Sequence, residues 1–269
     1  MFVEKLKNSA RKNRSLVCVG LDFDPEKAGE TFRKDPLGFN RMVIDATIDI
    51  VCCYKPNSAF YEVLGRKGIE ALEKTIEYID GRVPVILDAK RGDIGNTSSA
   101  YAKAAFEILG ADAVTIAPYM GFDSVLPFLE YPDRGVFVLC LTSNPGSADF
   151  QRFESNGHPL FIHVAKKCNE WAQDKNPNIG LVVGATQADM ASVRAVTSLP
   201  FLVPGVGAQG GDLKAAITAG YANGFAVINS SRNIIFPAGT GDAAPRVRAA
   251  ALSLREEILT ILQSGGLYL

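Results

Sequence analysis

The sequence predicts an α/β protein that forms one domain, a (β/α)8 TIM barrel of parallel strands over residues 1–269. Eight short runs rich in Val, Ile and Leu recur along the chain, and helical periodicity fills most of the intervals between them. The runs are apolar on both faces, which is typical of parallel strands that are covered on both sides. Eight such repeats in 269 residues favour closure into a barrel, with an open doubly wound sheet as the alternative.

The predicted elements alternate from one end of the chain to the other. Residues 2–13 have the pattern of a short amphipathic helix that covers the bottom of the barrel. The predicted strands are Leu16–Leu21, Val51–Tyr54, Pro84–Leu87, Ala113–Ile116, Gly135–Leu141, Leu181–Gly184, Phe201–Val203 and Phe225–Ile228. The predicted helices are Phe39–Ile50, Ile69–Ile79, Ser98–Leu109, Phe161–Gln173, Ala188–Val196, Leu213–Ala219 and, last, Arg246–Gln263. Two longer polar loops, Ser143–Gly157 and Phe236–Pro245, are expected on the active face.

Charge and composition limit the class of partner. The chain has 28 Lys and Arg residues against 29 Asp and Glu residues, a net charge of −1, without a long basic run. This balance favours a small-molecule substrate over a nucleic acid or a membrane surface. The first residues lack the apolar core of a signal peptide, and no stretch approaches the ~20 apolar residues of a membrane span. We therefore expect a cytoplasmic protein.

The cysteines and histidines do not form an obvious reactive or metal-binding set. Of the five cysteines, four lie inside apolar runs, which favours reduced, buried thiols. A Cys-x-x-Cys spacing, which would support a nucleophile or a metal site, is absent from the sequence. His158 and His163 lie five residues apart and away from other candidate ligands, so a histidine-based catalytic triad is not expected.

Opposite charges follow the third predicted strand, in the segment Asp88–Asp93. Since side chains alternate along a strand, Asp88 and Lys90 should share a face, and Gly92 permits a bend before Asp93. Active sites of barrel enzymes lie at the C-terminal ends of the strands, and buried charges are costly unless they are paired. We therefore interpret these three charges as converging on a catalytic site.

Other predicted strands also end in polar residues. The first ends in Asp22, the second in Lys55, the fifth in Thr142–Asn144 and the eighth in Asn229–Arg232. Each of these alone would also suit a solvated loop, but their coincidence at one end of a barrel favours a common site.

The same charges bear on metal binding and on proton transfer. Asp22, Asp88 and Asp93 offer oxygen ligands for Mg²⁺, but two neighbouring lysines would compete with the cation, so we expect a metal-free site. Lys90 is the candidate proton donor, because an ammonium flanked by carboxylates stays charged until a carbanion forms beside it.

A glycine-rich segment, Pro204–Asp212, runs from the seventh predicted strand into a helix. Such loops present backbone N–H groups to phosphate, and (β/α)8 barrels often bind phosphate after strands seven and eight. Gln209 and Arg232 fall in these two loops, and the arginine would add a charge-assisted contact. The glycines alone would also suit a tight turn; together with Arg232 they favour a phosphorylated substrate.

Together these motifs resemble those of the orotidine 5'-phosphate decarboxylase family over nearly the whole chain. Asp88–Ile94 is similar to the family's Asp-x-Lys-x-x-Asp signature, and Lys55 matches the further lysine of its Lys-Asp-Lys-Asp array. Pro204–Gly211 is similar to its phosphate loop. Ala59–Glu62 and Thr142–Pro145 resemble the longer bacterial, type 2-like subfamily most closely.

The resemblance implies removal of CO2 from C6 of orotidine 5'-monophosphate to give UMP, the last step of de novo pyrimidine biosynthesis, without a cofactor. It implies that Lys90 protonates the C6 carbanion, that Asp88 lies beside the substrate carboxylate, and that Lys55 bridges the carboxylates and a ribose hydroxyl. The other contacts that it implies are Asp22 with the ribose, Ser143 with the pyrimidine amide edge, and Gln209, Ser231 and Arg232 with the phosphate.

The resemblance also implies a homodimer with shared active sites, in which Asp93 enters the partner's site with Ile94 and Thr97 beside it. One departure is Asn233, which follows Arg232 where a smaller residue is expected.

Two alternatives remain open. A Mg²⁺-dependent sugar-phosphate decarboxylase or epimerase of the same superfamily would need an acidic ligand at the place of Lys55. A non-catalytic nucleotide-binding barrel would keep the phosphate loop without the chemistry, and the intact Lys55, Asp88, Lys90 and Asp93 argue against it.

Overall fold

The structure is a computed structural model that describes residues 1–184, 187–205 and 213–269. Its strands are β1 (Val17–Gly20), β2 (Cys53–Lys55), β3 (Ile86–Arg91), β4 (Ala113–Ile116), β5 (Gly135–Leu141), β6 (Glu154–Ser155), β7 (His158–Pro159), β8 (Ile179–Val183), β9 (Phe201–Pro204) and β10 (Ala226–Ser230). Its helices are α1 (Phe2–Asn13), α2 (Pro36–Thr47), α3 (Ala59–Glu62), α4 (Arg66–Ile79), α5 (Gly95–Lys103), α6 (Phe122–Leu129), α7 (Ser147–Phe150), α8 (Leu160–Asp174), α9 (Gln187–Val196), α10 (Leu213–Tyr221), α11 (Arg232–Ile235) and α12 (Ala243–Ser264). A π-helical turn, Ala104–Ile108, extends α5.

Eight of these strands form one parallel sheet, in the order β2-β1-β10-β9-β8-β5-β4-β3. The two ends of this order meet where Tyr54 bridges Val85 and Asn57 bridges Asp88, both in parallel. Because these bridges close the sheet, the predicted (β/α)8 barrel is confirmed and the open sheet is excluded.

All eight predicted strands are present, and the third continues further than predicted, through Arg91. The expectation of a plain loop over Ser143–Gly157 is wrong, because this segment contains α7 and one strand of the antiparallel hairpin β6–β7. Helix α6 was not predicted, since Pro127 in its interior interrupts the helical pattern. The last helix begins before its predicted start because the Asp242 side chain caps it, accepting from the backbone N of Ala244.

Helix α1 covers the N-terminal ends of the strands, as predicted. Phe2 packs edge to face on Phe137 of β5, with ring centroids 5.9 Å apart. Lys5 Nζ pairs with Asp112, just before β4, at 2.6 Å. Ser9 Oγ donates to the carbonyl of Cys52, just before β2, at 2.7 Å. These contacts close one end of the barrel, which leaves the C-terminal ends of the strands for a site.

The buried core also settles the cysteine prediction. All five cysteines are buried free thiols. Burial raises the pKa of the Cys140 thiol to about 12, so this sulfur stays protonated and unreactive. In the described ranges, no helix has both the length and the apolar character needed to cross a bilayer.

The C-terminal end of the barrel requires a close approach between β1 and β10. A side-chain carbon built on Gly20 would lie 1.9 Å from Ser231 Oγ and 2.8 Å from Ser231 Cβ. Neither distance is possible for non-bonded atoms, so glycine is needed here for the segments that carry Asp22 and Ser231 to meet.

We expect Gly20→Ala to lower the free energy of unfolding by about 1–3 kcal/mol, as overpacking in a close-packed region does. Urea denaturation measures the change. Gly265→Ala is the matched control, because its added carbon would lie no closer than 3.5 Å to its neighbours. Equal stability of the Gly20→Ala variant and the parent would contradict the close approach.

Candidate active site

A buried carboxylate joins two lysines at the C-terminal end of the barrel. Asp88 Oδ2 accepts from Lys55 Nζ at 2.7 Å, and Asp88 Oδ1 accepts from Lys90 Nζ at 2.6 Å. Lys55 and Asp88 are 4% and 7% exposed. The Lys90 side chain is 46% exposed, so its ammonium lies between the buried carboxylate and the open end of the barrel. We call these three residues the charged triad.

Charge pairing sets the ionisation of the buried members of the triad. Burial alone would raise the pKa of Asp88, but Lys55 and Lys90 outweigh it and lower this pKa to about 2. Burial alone would lower the pKa of Lys55, but the carboxylates of Asp88 and Asp22 raise it above its ordinary value. Asp88 is therefore ionised and Lys55 is charged throughout the neutral range.

The backbone bends within β3, at Lys90, where φ is 46°. The pairing of β3 with β4 shifts its register between Leu87 and Arg91. Thr115 Oγ1 accepts from the backbone N of Lys90 at 2.9 Å and donates to Asp88 Oδ1 at 3.0 Å. The sequence prediction missed Thr115, although it is the one polar residue of β4.

Buried hydrogen bonds hold the end of β1 beside the triad. Tyr61 OH donates to the carbonyl of Leu21 at 2.6 Å, and Asn40 Nδ2 donates to Tyr61 OH at 2.9 Å. Asp22 follows directly, and its buried Oδ1 has no hydrogen-bond partner among the described residues. This oxygen can accept from a ligand hydroxyl. Sequence reasoning missed Asn40, because it lies in the middle of a helix rather than at a strand end.

A cavity of about 270 Å³ lies between the ends of β1 and β10. Its lining residues are Asp22, Asp24, Lys27, Phe60, Arg232 and Phe236. Arg232 is exposed, and Ser231 before it is half-buried. A carboxylate on one wall and a guanidinium on another suit a ligand that carries both hydroxyl groups and a phosphate.

A larger cavity, of about 640 Å³, lies at the opposite end of the barrel beside Lys7 and Arg11. It does not include the charged residues at the strand ends. We assign the site to the end of the barrel where the smaller cavity lies, because the charged triad and the orphaned oxygen of Asp22 are at that end.

Asp93, Ile94 and Thr97 lie around the start of α5. Asp93 is half-buried, whereas Thr97 is exposed and Ile94 is 53% exposed. Asp93 Oδ1 accepts from the backbone N of Ile94 at 2.8 Å. Among the described residues of this one chain, Asp93 forms no ion pair with Lys55 or Lys90, so the expected convergence of three charges includes Asp88 and Lys90 only.

Ser143 is exposed and lies two residues after the end of β5. Its neighbour Thr142 is held by Gln151, whose Oε1 accepts from the backbone N of Thr142 at 2.7 Å. Gln209 and most of the glycine-rich segment lie outside the described residues. The described part of the chain has no cluster of three or more His, Cys, Asp and Glu side chains suited to a metal ion.

Known proteins of one family are similar to this chain over most of its length. The model of the orotidine 5'-phosphate decarboxylase / HUMPS family matches residues 15–247. The orotidine 5'-phosphate decarboxylase of Herpetosiphon aurantiacus is 48% identical over 258 residues, which cover 93% of this chain and 95% of that protein. That of Natronomonas pharaonis is 52% identical over 248 residues, which cover 90% of each. The solved structure of Leishmania donovani OMP decarboxylase has a TM-score of 0.85 at 40% identity, over 97% of this chain and 98% of that one.

We expect the stability of the fold to depend on the ionisation of Asp88. Its pKa is lowered to about 2 in the folded chain, against about 3.9 in an unfolded chain. The ionised carboxylate therefore stabilises the fold above about pH 4, and this stabilisation, about 2–3 kcal/mol, is lost as the pH falls towards 2. The difference in unfolding free energy between the parent and Asp88→Asn should shrink over that window, as urea denaturation at a series of pH values would show.

Asp133→Asn is the matched control, because Asp133 is exposed and forms no ion pair with another described residue. A difference between the parent and Asp88→Asn that stays constant from about pH 5 to about pH 2 would contradict the lowered pKa.

Proposed function

The chain belongs to the orotidine 5'-phosphate decarboxylase / HUMPS family, and we propose that it performs the decarboxylase reaction of that family. It converts orotidine 5'-monophosphate to UMP and CO2, a step of pyrimidine biosynthesis. The observation that carries this conclusion is the charged triad, in which one ionised carboxylate binds two ammonium groups at the open end of the barrel.

The triad also distinguishes this reaction from that of a Mg²⁺-dependent member of the superfamily. The end of β2, where such an enzyme would need an acidic ligand, holds Lys55, which is buried and charged. Its ammonium already occupies one oxygen of Asp88 and repels a divalent cation. We infer a reaction that needs neither metal nor cofactor.

In the proposed mechanism, Lys90 is the proton donor. The bond between C6 and the carboxylate carbon breaks, CO2 leaves, and the electron pair stays on C6. Lys90 Nζ then gives one proton to C6, and the neutral amine regains a proton from water. Asp88 holds the ammonium at 2.6 Å before the reaction, so the donor does not have to be oriented when the carbanion forms.

We assign the substrate contacts from the placement of the remaining residues. The orphaned oxygen of Asp22 accepts from a ribose hydroxyl, with Lys55 beside it. Arg232 and the backbone of Ser231 bind the phosphate at the other side of the cavity, together with Gln209. Ser143 reads the amide edge of the pyrimidine.

We further propose a homodimer in which Asp93, Ile94 and Thr97 complete the partner's site. Ile94 is 53% exposed, and Met120, which follows β4, is 43% exposed. A carbon built on Gly92 would lie 3.6 Å from Met120 Cε, which places this side chain beside the Asp93 segment. Exposed apolar side chains next to a charged residue are typical of an interface.

Two broader expectations accompany this function. Two observations support one decarboxylase domain over residues 1–269. The family match covers most of the chain, and the described buried side chains from Phe2 to Leu262 form one cluster. A cytoplasmic location fits the place of the reaction in pyrimidine biosynthesis.

We expect Lys90→Ala to abolish decarboxylation while UMP still binds, because Lys90 donates the proton and the phosphate contacts lie elsewhere. The loss of ultraviolet absorbance of orotidine 5'-monophosphate measures turnover, with every sample dialysed against a chelator. Lys175→Ala, at the end of α8 and on the opposite face of the barrel, should keep full activity. Turnover by Lys90→Ala, or a parent that is active only when Mg²⁺ is restored, would contradict the mechanism.

Mixing two inactive variants tests the shared site. Consider a mixed dimer with one Lys90→Ala subunit and one Asp93→Asn subunit. If Asp93 acts across the interface, one of the dimer's two sites has both defects and the other has none. Random exchange should therefore restore about one quarter of the parent activity. Lys90→Ala mixed with Asp88→Asn is the control and should restore none, because both residues act within one chain. An inactive first mixture, with exchange verified by a tag on one subunit, would place Asp93 outside the partner's site.

A further inference from the structure

Thr115 lies where the bend in β3 meets the charged triad. The residue is 1% exposed. Its hydroxyl donates a hydrogen bond to Asp88 Oδ1 at 3.0 Å and accepts one from the backbone N–H of Lys90 at 2.9 Å. A hydroxyl has one proton to give and lone pairs to accept with, so both contacts form at once. The same oxygen of Asp88 also holds the Lys90 ammonium at 2.6 Å.

We propose that Thr115 is a positioning residue for the decarboxylation: its hydroxyl fixes the backbone of Lys90 and the carboxylate oxygen that aims the Lys90 ammonium. The inference rests on the proposed function and assigns to Thr115 no contact with the substrate. Lys90 is thereby held at both ends, its backbone N–H by Thr115 and its Nζ by Asp88.

The backbone conformation of Lys90 explains why its hydrogen bond to Thr115 matters in addition to the ion pair with Asp88. A residue with a side chain is disfavoured at positive φ and keeps this conformation only where its surroundings hold it. With the Thr115 hydroxyl removed, the partly buried hydrogen bond of the Lys90 backbone N–H is lost, and the register shift loses the bond that fixes it. Proton transfer is sensitive to small displacements of the donor, so turnover should fall even where the substrate still binds.

The test compares Thr115→Val, which removes the hydroxyl and keeps the shape, with Thr115→Ser, which keeps the hydroxyl. We expect kcat of Thr115→Val to fall about tenfold to a hundredfold, while KM for orotidine 5'-monophosphate and Kd for UMP change less than about threefold. Thr115→Ser should recover most of kcat. The acid limb of the kcat/KM profile should move to higher pH in Thr115→Val, because Asp88 loses a donor that stabilises its charged form.

Thr47→Val is the matched control for loss of a buried hydroxyl, since Thr47 Oγ1 donates to the carbonyl of Val43 at 2.7 Å within α2. It should lower the melting temperature and leave kcat unchanged. Thr115→Ala also lacks the hydroxyl and replaces the valine variant if that variant does not fold. Parent-like kcat in the folded variants that lack the hydroxyl, or an equal loss in Thr115→Ser, would overturn the proposal. An inactive parent would instead overturn the proposed function.

Discussion

The ion pair between Lys55 and Asp88 constrains both the closure of the barrel and its chemistry. Charges this deeply buried are costly to remove from water, and they are tolerated only when their geometry is nearly ideal. Lys55 ends β2 and Asp88 lies in β3, the two strands that stand at the ends of the sheet order. Among the residues that the structure describes, isolated bridges from Tyr54 and Asn57 join the backbones at this seam. The ion pair therefore crosses the seam of the barrel, so correct closure and correct pairing require each other.

Around this pair, the site divides into a fixed half and an exposed half. The fixed half contains Lys55, Asp88 and Thr115, together with the hydrogen bonds that hold the end of β1. These groups are ordered by folding, so they need no reorganisation when charge moves in the reaction. The exposed half contains Lys90 and Arg232, which face the open end of the barrel where a substrate enters.

The sequence predicted those features of the fold and the site that depend on residues close together along the chain. The strands followed from apolar runs, and Asp22, Lys55, Asp88 and Lys90 followed from their places at strand ends. Thr115 was missed because a threonine within a strand usually reflects β propensity, and its partners lie about 25 residues away along the chain. The bend at Lys90 was also missed: strict alternation predicted that Asp88 and Lys90 share a face, and they do meet, but through a register shift.

The position of the cavity indicates how contacts far from the reacting carbon can help to lower the barrier of the reaction. Asp88 is ionised before a substrate arrives. In the proposed mechanism, the substrate carboxylate is therefore placed beside a fixed negative charge. That placement is unfavourable by itself, and contacts elsewhere on the substrate must offset it. Asp22 and Arg232 line the cavity between the ends of β1 and β10, a cavity that neither Asp88 nor Lys90 lines, and they can supply such contacts. In the proposed mechanism, the repulsion fades as CO2 departs while the proposed ribose and phosphate contacts remain, so the same interactions would favour the transition state over the bound substrate.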